Sequence, residues 1–386
     1  MDIVFHKPIL PKSLDELYTD SMINGWLTTG PQVQKFESII SEYTQSKYAV
    51  AVNSCTAALH LALAAKNFGI GDKFIAPTYT FVASVEVGEY LGMKPVLVDC
   101  DDNYNIDVNQ LEELVKSDAK IKAIIPVHFA GVPVNMKDIM YIAHKYGLFV
   151  LEDAAHALET VSNIGKVGDT NHGAAFSFYA NKNITTGGEG GAFTTNDDKL
   201  AEKVRKLSLH GISKDGWNRF KKGAKWKYDI SLLGYKYNMT DFAGSFGIWQ
   251  MGNIELWYKK RVDLAKRYYG KLTKIPGLIC PSLKSDNTKY AYHLYIIRII
   301  PKMWKIDRNK IIDLLNANGV GTSVHYTPVH MQSYYMKKYG YKPLDFKKSK
   351  LFGDNVISLP LYPLLKNEQI DYIVDCILEL WGKYKA

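Results

Sequence analysis

Between residues 48 and 151, short apolar runs alternate with helical patterns, and few layer architectures accept that rhythm. Residues 48–52, 74–76, 95–98, 121–127 and 148–151 read as strands. Residues 57–65, 82–91, 108–116 and 136–146, which lie between them, read as helices. Such alternation predicts an α/β fold with a mostly parallel sheet covered by helices on both faces. Two further strands, 174–178 and 192–195, flank a glycine-rich loop. Ahead of this block, residues 1–30 read as an arm with a helical pattern near 14–24, followed by a helix over 33–43. Behind it come a helix over 200–207 and an irregular polar loop over 211–229. One long helix over 241–274 links a large domain, 31–250, to a smaller one, 251–386. Strand-like 294–299 and 321–324, with helical 310–316 and 369–381, make the smaller domain α+β.

The glycine-rich loop runs Tyr179-Ala180-Asn181-Lys182-Asn183-Ile184-Thr185-Thr186-Gly187-Gly188-Glu189-Gly190-Gly191, with Ser177 just before it. A lysine amine condenses with carbonyls once its pKa is lowered. Glycines let the backbone turn tightly beside a flat ligand. On local grounds alone, Lys182 reads equally well as a solvated lysine before a turn. Three upstream segments weigh against that. Asn53-Ser54-Cys55-Thr56 follows a strand and opens a helix, where unpaired amides and the dipole favour an anion such as phosphate. Its alternative is Ser54 or Thr56 as a plain N-cap. Phe81 follows the next strand, where an aromatic can stack on a flat ring or pack as core. Asp153 and His156 follow the strand at 148–151, at the end of a parallel sheet where ligands bind. A carboxylate there can keep a pyridinium nitrogen protonated. The competing readings are a helix cap for Asp153 and a satisfied core histidine for His156. An anchor for phosphate, a cover for a ring, a counter-charge for its nitrogen and an amine for its aldehyde together point to pyridoxal 5'-phosphate.

Composition narrows the class further. Of 386 residues, 47% are apolar and 23% charged, an ordinary globular mixture. No run of about 18 apolar residues predicts a membrane span. The first residues lack the basic start and apolar core of a signal peptide. Cys55, Cys100, Cys280 and Cys376 form no CxxC pair and no metal-ligand spacing, so a cytoplasmic setting without a bound metal is expected. The net charge of +9 is unevenly spread: residues 1–193 carry 14 Lys+Arg against 22 Asp+Glu, and residues 194–386 carry 34 against 17. The basic residues of the second half are dispersed, which suits a solvated surface or a field drawing in an anionic substrate better than a nucleic-acid site.

These motifs carry a resemblance over essentially the whole chain. It resembles the DegT-type sugar aminotransferases, fold-type-I pyridoxal phosphate enzymes that act on nucleotide-linked keto sugars. The matching stretches are 25–31, 53–60, 152–156, the lysine loop, 234–241, 325–326 and 359–363. Residues 124–131 and 234–238 are similar to the branch of UDP-4-ketopentose aminotransferases that make 4-amino-4-deoxy-arabinose. The resemblance implies that Lys182 holds the cofactor as a Schiff base and then moves the proton, with pyridoxamine 5'-phosphate as the half-way form and L-glutamate as donor. It implies that Asp153 pairs with the ring nitrogen, that His156 contacts the ring's oxygen side and that Phe81 covers the ring. Cys55, Thr56 and Ser177 would hold the phosphate. Thr28, Thr29, His325 and Tyr326 are implied on the substrate side. The segment 234–238 is implied to reach into a neighbouring subunit, giving a homodimer with shared sites. Many relatives have Gly or Ala in place of Cys55, Asn in place of Lys236 and Arg in place of Asn238, so either Lys236 or Asn238 could reach the neighbour's cofactor.

Rival readings are a dTDP-linked 3- or 4-keto-6-deoxysugar aminotransferase, and a dehydratase on the same scaffold, which would carry histidine in place of Lys182. A catalytically silent cofactor-binding regulator is a third.

Overall fold

The computed structural model describes residues 1–386 except 18, 24, 213–228 and 284–287. Among the described residues twelve strands occur, numbered in chain order. The central sheet holds β1 (Tyr48–Val52), β2 (Lys73–Pro77), β3 (Lys94–Val98), β4 (Ile121–Ile124), β5 (Phe149–Asp153), β8 (Gly173–Ser177) and β9 (Gly191–Thr195). Between β5 and β8 lies a small ribbon, β6 (Val161–Ser162) with β7 (Gly165–Lys166). The sheet order is β1-β9-β8-β5-β4-β2-β3. β9 runs antiparallel to both its neighbours, whereas the pairs from β8 through β5, β4 and β2 to β3 are parallel. The expected mostly parallel sheet is therefore observed. Its strands are buried along nearly their whole length, as a sheet clad on both faces requires.

The cladding helices follow from sequence. Cys55–Ala65 is mostly Ala and Leu, residues that lose least on entering a helix, and all but a few of its positions are buried. Met136–Tyr146 starts at Asn135, whose side chain accepts from Asp138 N, and stops at Gly147 in the left-handed region at φ 66°. Asp198–Leu207 buries Leu200, Ala201, Val204 and Leu207, one stripe of an amphipathic helix. Helix Pro31–Thr44 lies against helix Asp241–Met251 at very close range. A side chain at Gly244 would meet the backbone of Gln32 and Val33 at 2.9 Å, and one at Gly247 would meet the ring of Phe36 at 2.5 Å.

A second, antiparallel sheet of order β10-β11-β12 comprises Leu278–Ile279, Tyr295–Ile299 and Val356–Leu359. Leu264, Tyr268 and Leu272 from one helix and Ile370, Ile373 and Ile377 from another pack around it. The N-terminal arm joins this core: Ile3 is buried there, with backbone bonds to Gly319 and Gly321.

Three expectations need correction. The helix expected over 241–274 is two, Asp241–Met251 and Ile254–Leu272. They are separated by Gly252 and by Asn253 at φ −118°, ψ 0°, outside helical geometry. The strand expected over 121–127 ends at Ile124, two residues before Pro126, which has no amide hydrogen for the ladder. Residues 321–324 form no strand; Ser323 alone makes a bridge, to Ser358. The polar loop expected over 211–229 falls, for residues 213–228, outside the described residues.

Candidate active site

The carboxyl ends of β2, β5 and β8, with the helix that follows β1, converge on one cavity of about 390 Å³, the position the topology of such sheets favours. Cys55, Thr56, Phe81, Asp153, His156, Ser177, Lys182, His325 and Tyr326 all line it. These nine sequence-predicted residues are thus brought together from segments far apart in the chain.

Lys182 is half-buried, and its Nζ has no hydrogen bond or ion pair among the described residues. Burial pulls its amine down from 10.5 to about 8, against the opposing pull of Cys55 and Asp153. Asp153 accepts a 2.6 Å hydrogen bond from Ser84 Oγ and a 3.1 Å bond from the amide of Ala155. Burial nevertheless raises its pKa, so a cationic partner in the cavity would restore its charge.

His156 accepts the amide of Ala130 on Nδ1 at 3.2 Å. Its neutral ring therefore carries the proton on Nε2, which lies 3.4 Å from Tyr326 Oη. Burial, then Lys182 and His325, push its pKa well below 6.5. His325 bonds Ser358 Oγ through Nδ1 at 2.8 Å, and burial lowers it to about 4. Burial raises the Tyr326 hydroxyl, with Asp153 adding to the effect. Phe81 is 57% exposed, its ring centroid 5.8 Å from that of Tyr326, so plain core is not its role.

Ser54 is the N-cap of helix Cys55–Ala65 and accepts from the amide of Ala57 at 3.1 Å. The amides of Cys55 and Thr56 have no acceptor among the described residues. Gly191 lies against this turn so closely that a Cβ would stand 2.5 Å from Cys55 N. Asn181, which the sequence reading passed over, lines the same cavity with a buried, unpartnered Oδ1. Its place beside Lys182 was the available signal.

Thr28, Thr29, Lys236 and Asn238 do not line the cavity. They form their own cluster: Lys236 Nζ donates to Asn238 Oδ1 at 2.6 Å, and Asn238 Nδ2 donates to Thr29 Oγ1 at 2.8 Å and lies 3.5 Å from Thr28 Oγ1. Lys236 and Thr28 are exposed.

A lone amine of lowered basicity, a buried carboxylate short of counter-charge, two free helix-start amides and an exposed ring fit pyridoxal phosphate group by group. A cofactor-dependent transferase is the class this fold and cavity define. Residues 9–378 match the DegT/DnrJ/EryC1/StrS aminotransferase family. The chain is 41% identical over 375 residues to the spore coat polysaccharide biosynthesis protein SpsC of Bacillus subtilis, covering 97% of this chain and 95% of that one. It is 35% identical over 384 residues to a UDP-4-amino-4-deoxy-L-arabinose–oxoglutarate aminotransferase of Shewanella sediminis, covering 97% and 98%. Among solved structures it is similar to Spr1654 of Streptococcus pneumoniae in its PMP and PLP forms, with TM-scores of 0.91 and 0.90 and 31% identity. The PMP-form match covers 99% of this chain and 100% of that one. The chain belongs to the DegT/DnrJ/EryC1/StrS aminotransferase family, with the mostly parallel sheet of pyridoxal phosphate-dependent sugar transaminases.

Proposed function

We propose that this enzyme moves the amino group of L-glutamate to the keto carbon of a UDP-linked 4-keto sugar, giving the 4-amino sugar and 2-oxoglutarate. The observation that carries the reading is Lys182, an amine of lowered pKa that is unpaired among the described residues, in the cavity that also holds Asp153 and the Cys55 and Thr56 amides, likewise without acceptors there. The sugar and nucleotide rest on the name of the Shewanella relative, and a role in surface polysaccharide formation rests on that of the Bacillus one.

Pyridoxal phosphate, when bound, supplies an aldehyde that takes up an amino group and a ring that holds the electron pair left as a proton departs. The protein's residues do the remainder. Lys182 Nζ, neutral once its proton is lost near pH 8, would take the α-proton of the donor and return it at the carbon that had been the cofactor's aldehyde. The Asp153 carboxylate holds a proton on the ring nitrogen, and that charge favours its own ionised form. Cys55 and Thr56 amides, with Ser177, hold the phosphate at the helix start. His156 would meet the ring's oxygen side, Phe81 would cover its face, and His325 and Tyr326 would border the sugar. The partly exposed quartet of Thr28, Thr29, Lys236 and Asn238 serves the cavity of a second copy, so the working unit is a homodimer.

Release of 2-oxoglutarate and mass-spectrometric detection of an aminosugar, across UDP- and dTDP-linked 3- and 4-keto sugars, test this. UDP-linked 4-keto sugars should give the highest kcat/KM. Equal or better turnover of a dTDP-linked 6-deoxy sugar would replace the substrate, and no 2-oxoglutarate from any pair would end the reading.

A further inference from the structure

Behind the lysine lies a polar chain, half-buried at Asn183 and buried beyond it, that the roles above leave unused. Asn183 follows Lys182, and both ends of its amide are engaged. Nδ2 donates to Glu159 Oε2 at 2.6 Å, and Oδ1 lies 2.9 Å from His293 Nδ1. A carboxylate only accepts, so the amide's orientation is fixed, and Nδ1 of His293 must carry the proton. Glu159 is fully buried and pairs through its other oxygen with Arg261, itself 2% exposed, on helix Ile254–Leu272. Arg261 Nε also donates to Ala291 O at 3.4 Å. The ring of His293 lies 4.3 Å from that of His156, centroid to centroid. Both histidines are tied to Ala130: its amide donates to His156 Nδ1, and its carbonyl accepts the His293 amide at 3.1 Å.

We propose that Asn183 is a positioning residue: clamped between Glu159–Arg261 and His293, it fixes where Lys182 leaves the backbone and, through His293, the plane of the His156 ring. A solvated loop residue has no need of a buried ion pair, and breaking such a pair is costly. The clamp links the lysine loop to a helix of the other core, and the reacting amine gains a fixed origin. Burial and the neighbouring Lys182, His156, His325 and His6 hold His293 neutral, the form in which Nδ1–H can bond Asn183 while the ring adds no charge beside the amine. The inference rests on Lys182 being that amine.

A displacement of about 1 Å at a reacting group costs on the order of a hundredfold in rate. Asn183→Ala, loaded with pyridoxal phosphate, should therefore lose tenfold to a hundredfold in kcat, with KM for the sugar within about threefold, and should shift the pH at which the bound cofactor's absorbance changes. His293→Asn, which can present an amide N–H where Nδ1–H stood, should keep more than a third of wild-type kcat, whereas His293→Leu should not. Nitrogen-15 spectra of the unmodified holoenzyme should show His293 protonated on Nδ1. Protonation on Nε2, equal kcat for the two His293 variants, or an Asn183→Ala enzyme with wild-type kcat and pH profile would overturn the proposal. Lys182→Ala in the same assay separates the cases: if it retains turnover, the reading of the amine fails rather than the clamp.

Discussion

Two groups of polar residues flank the same sheet and are built in opposite ways. Around Lys182 the polar groups are withdrawn from water, so their protonation is set by burial: the amine falls to about 8, His325 falls to about 4, and Asp153 rises. The Thr28–Thr29–Lys236–Asn238 cluster lies partly in water, held by hydrogen bonds among its own side chains and by one from Thr29 Oγ1 to Met239 O at 2.6 Å. Its backbone is firmly placed, since Tyr235, Tyr237 and Asn53 bond across to Leu207, Ser208 and Tyr237. Tyr235 and Tyr237 stack at 5.2 Å and pack beside His60. Rigid backbone with an exposed cation at its tip, hydrogen-bonded to Asn238 but in no ion pair among the described residues, suits recognition of an anion that arrives from outside. Buried groups of shifted pKa suit proton movement. On the proposed reading, the difference separates chemistry from capture.

The comparison breaks first if the cavity is not where reaction occurs. Lys182→Ala should lower kcat by at least about 10³-fold, and borohydride treatment of the wild-type holoenzyme should leave a pyridoxyl label on Lys182 alone. A label on another lysine would move the site. The amine's lowered pKa adds a pH test with a definite sign. The neutral amine is the form that attacks a carbonyl, and it predominates above the pKa. Uptake of cofactor by stripped enzyme should therefore speed up with pH and level off above about 8, rather than climb towards the ordinary value of 10.5. Asp153→Asn should cost roughly 10²-fold in kcat, read by steady-state kinetics; unchanged kinetics would leave the ring nitrogen without its partner.

Much of this cavity was legible because its residues sit where the sheet topology puts ligands. Once 48–52, 74–76 and 148–151 read as parallel strands, Cys55, Phe81 and Asp153 fall at one edge by construction. The clamp on Asn183 was not legible. Glu159, Arg261 and His293 are polar residues that become buried only through contacts across more than a hundred positions, and no local period marks them. The helix break at Gly252–Asn253 was missed for a related reason. Apolar periodicity continues on either side of it, and a single glycine is tolerated in helices at a cost of about 1 kcal/mol.

The exposed cluster yields a smaller, more specific effect. If Lys236 serves a second copy, Lys236→Ala should weaken binding of cofactor or nucleotide sugar by about tenfold, while kcat falls less, since the reacting groups are intact. Mixing Lys182→Ala chains with Lys236→Ala chains should then recover activity, because one of the two hybrid sites has both wild-type halves. Absence of recovery in a mixture shown to exchange subunits would confine each site to one chain and remove the argument for a shared dimer.

The smallest expected effect concerns Ser54, which marks where the buried site meets ordinary helix chemistry. Its hydroxyl oxygen accepts the amide of Ala57 and its O–H donates to Asn53 Oδ1 at 3.5 Å, so on the proposed reading it serves the helix, and the anion is left to the amides of Cys55 and Thr56. Ser54→Ala should then cost about 1 kcal/mol of stability, read as a lowered denaturant midpoint. Cofactor affinity should stay within about threefold, because no donor to phosphate is lost. A hydroxyl that bonded the phosphate directly would give the reverse pattern, since losing a hydrogen bond to a charged group costs about 1.5–3 kcal/mol, roughly tenfold or more in affinity. Titrating stripped Ser54→Ala protein with pyridoxal phosphate beside its unfolding curve separates the two outcomes.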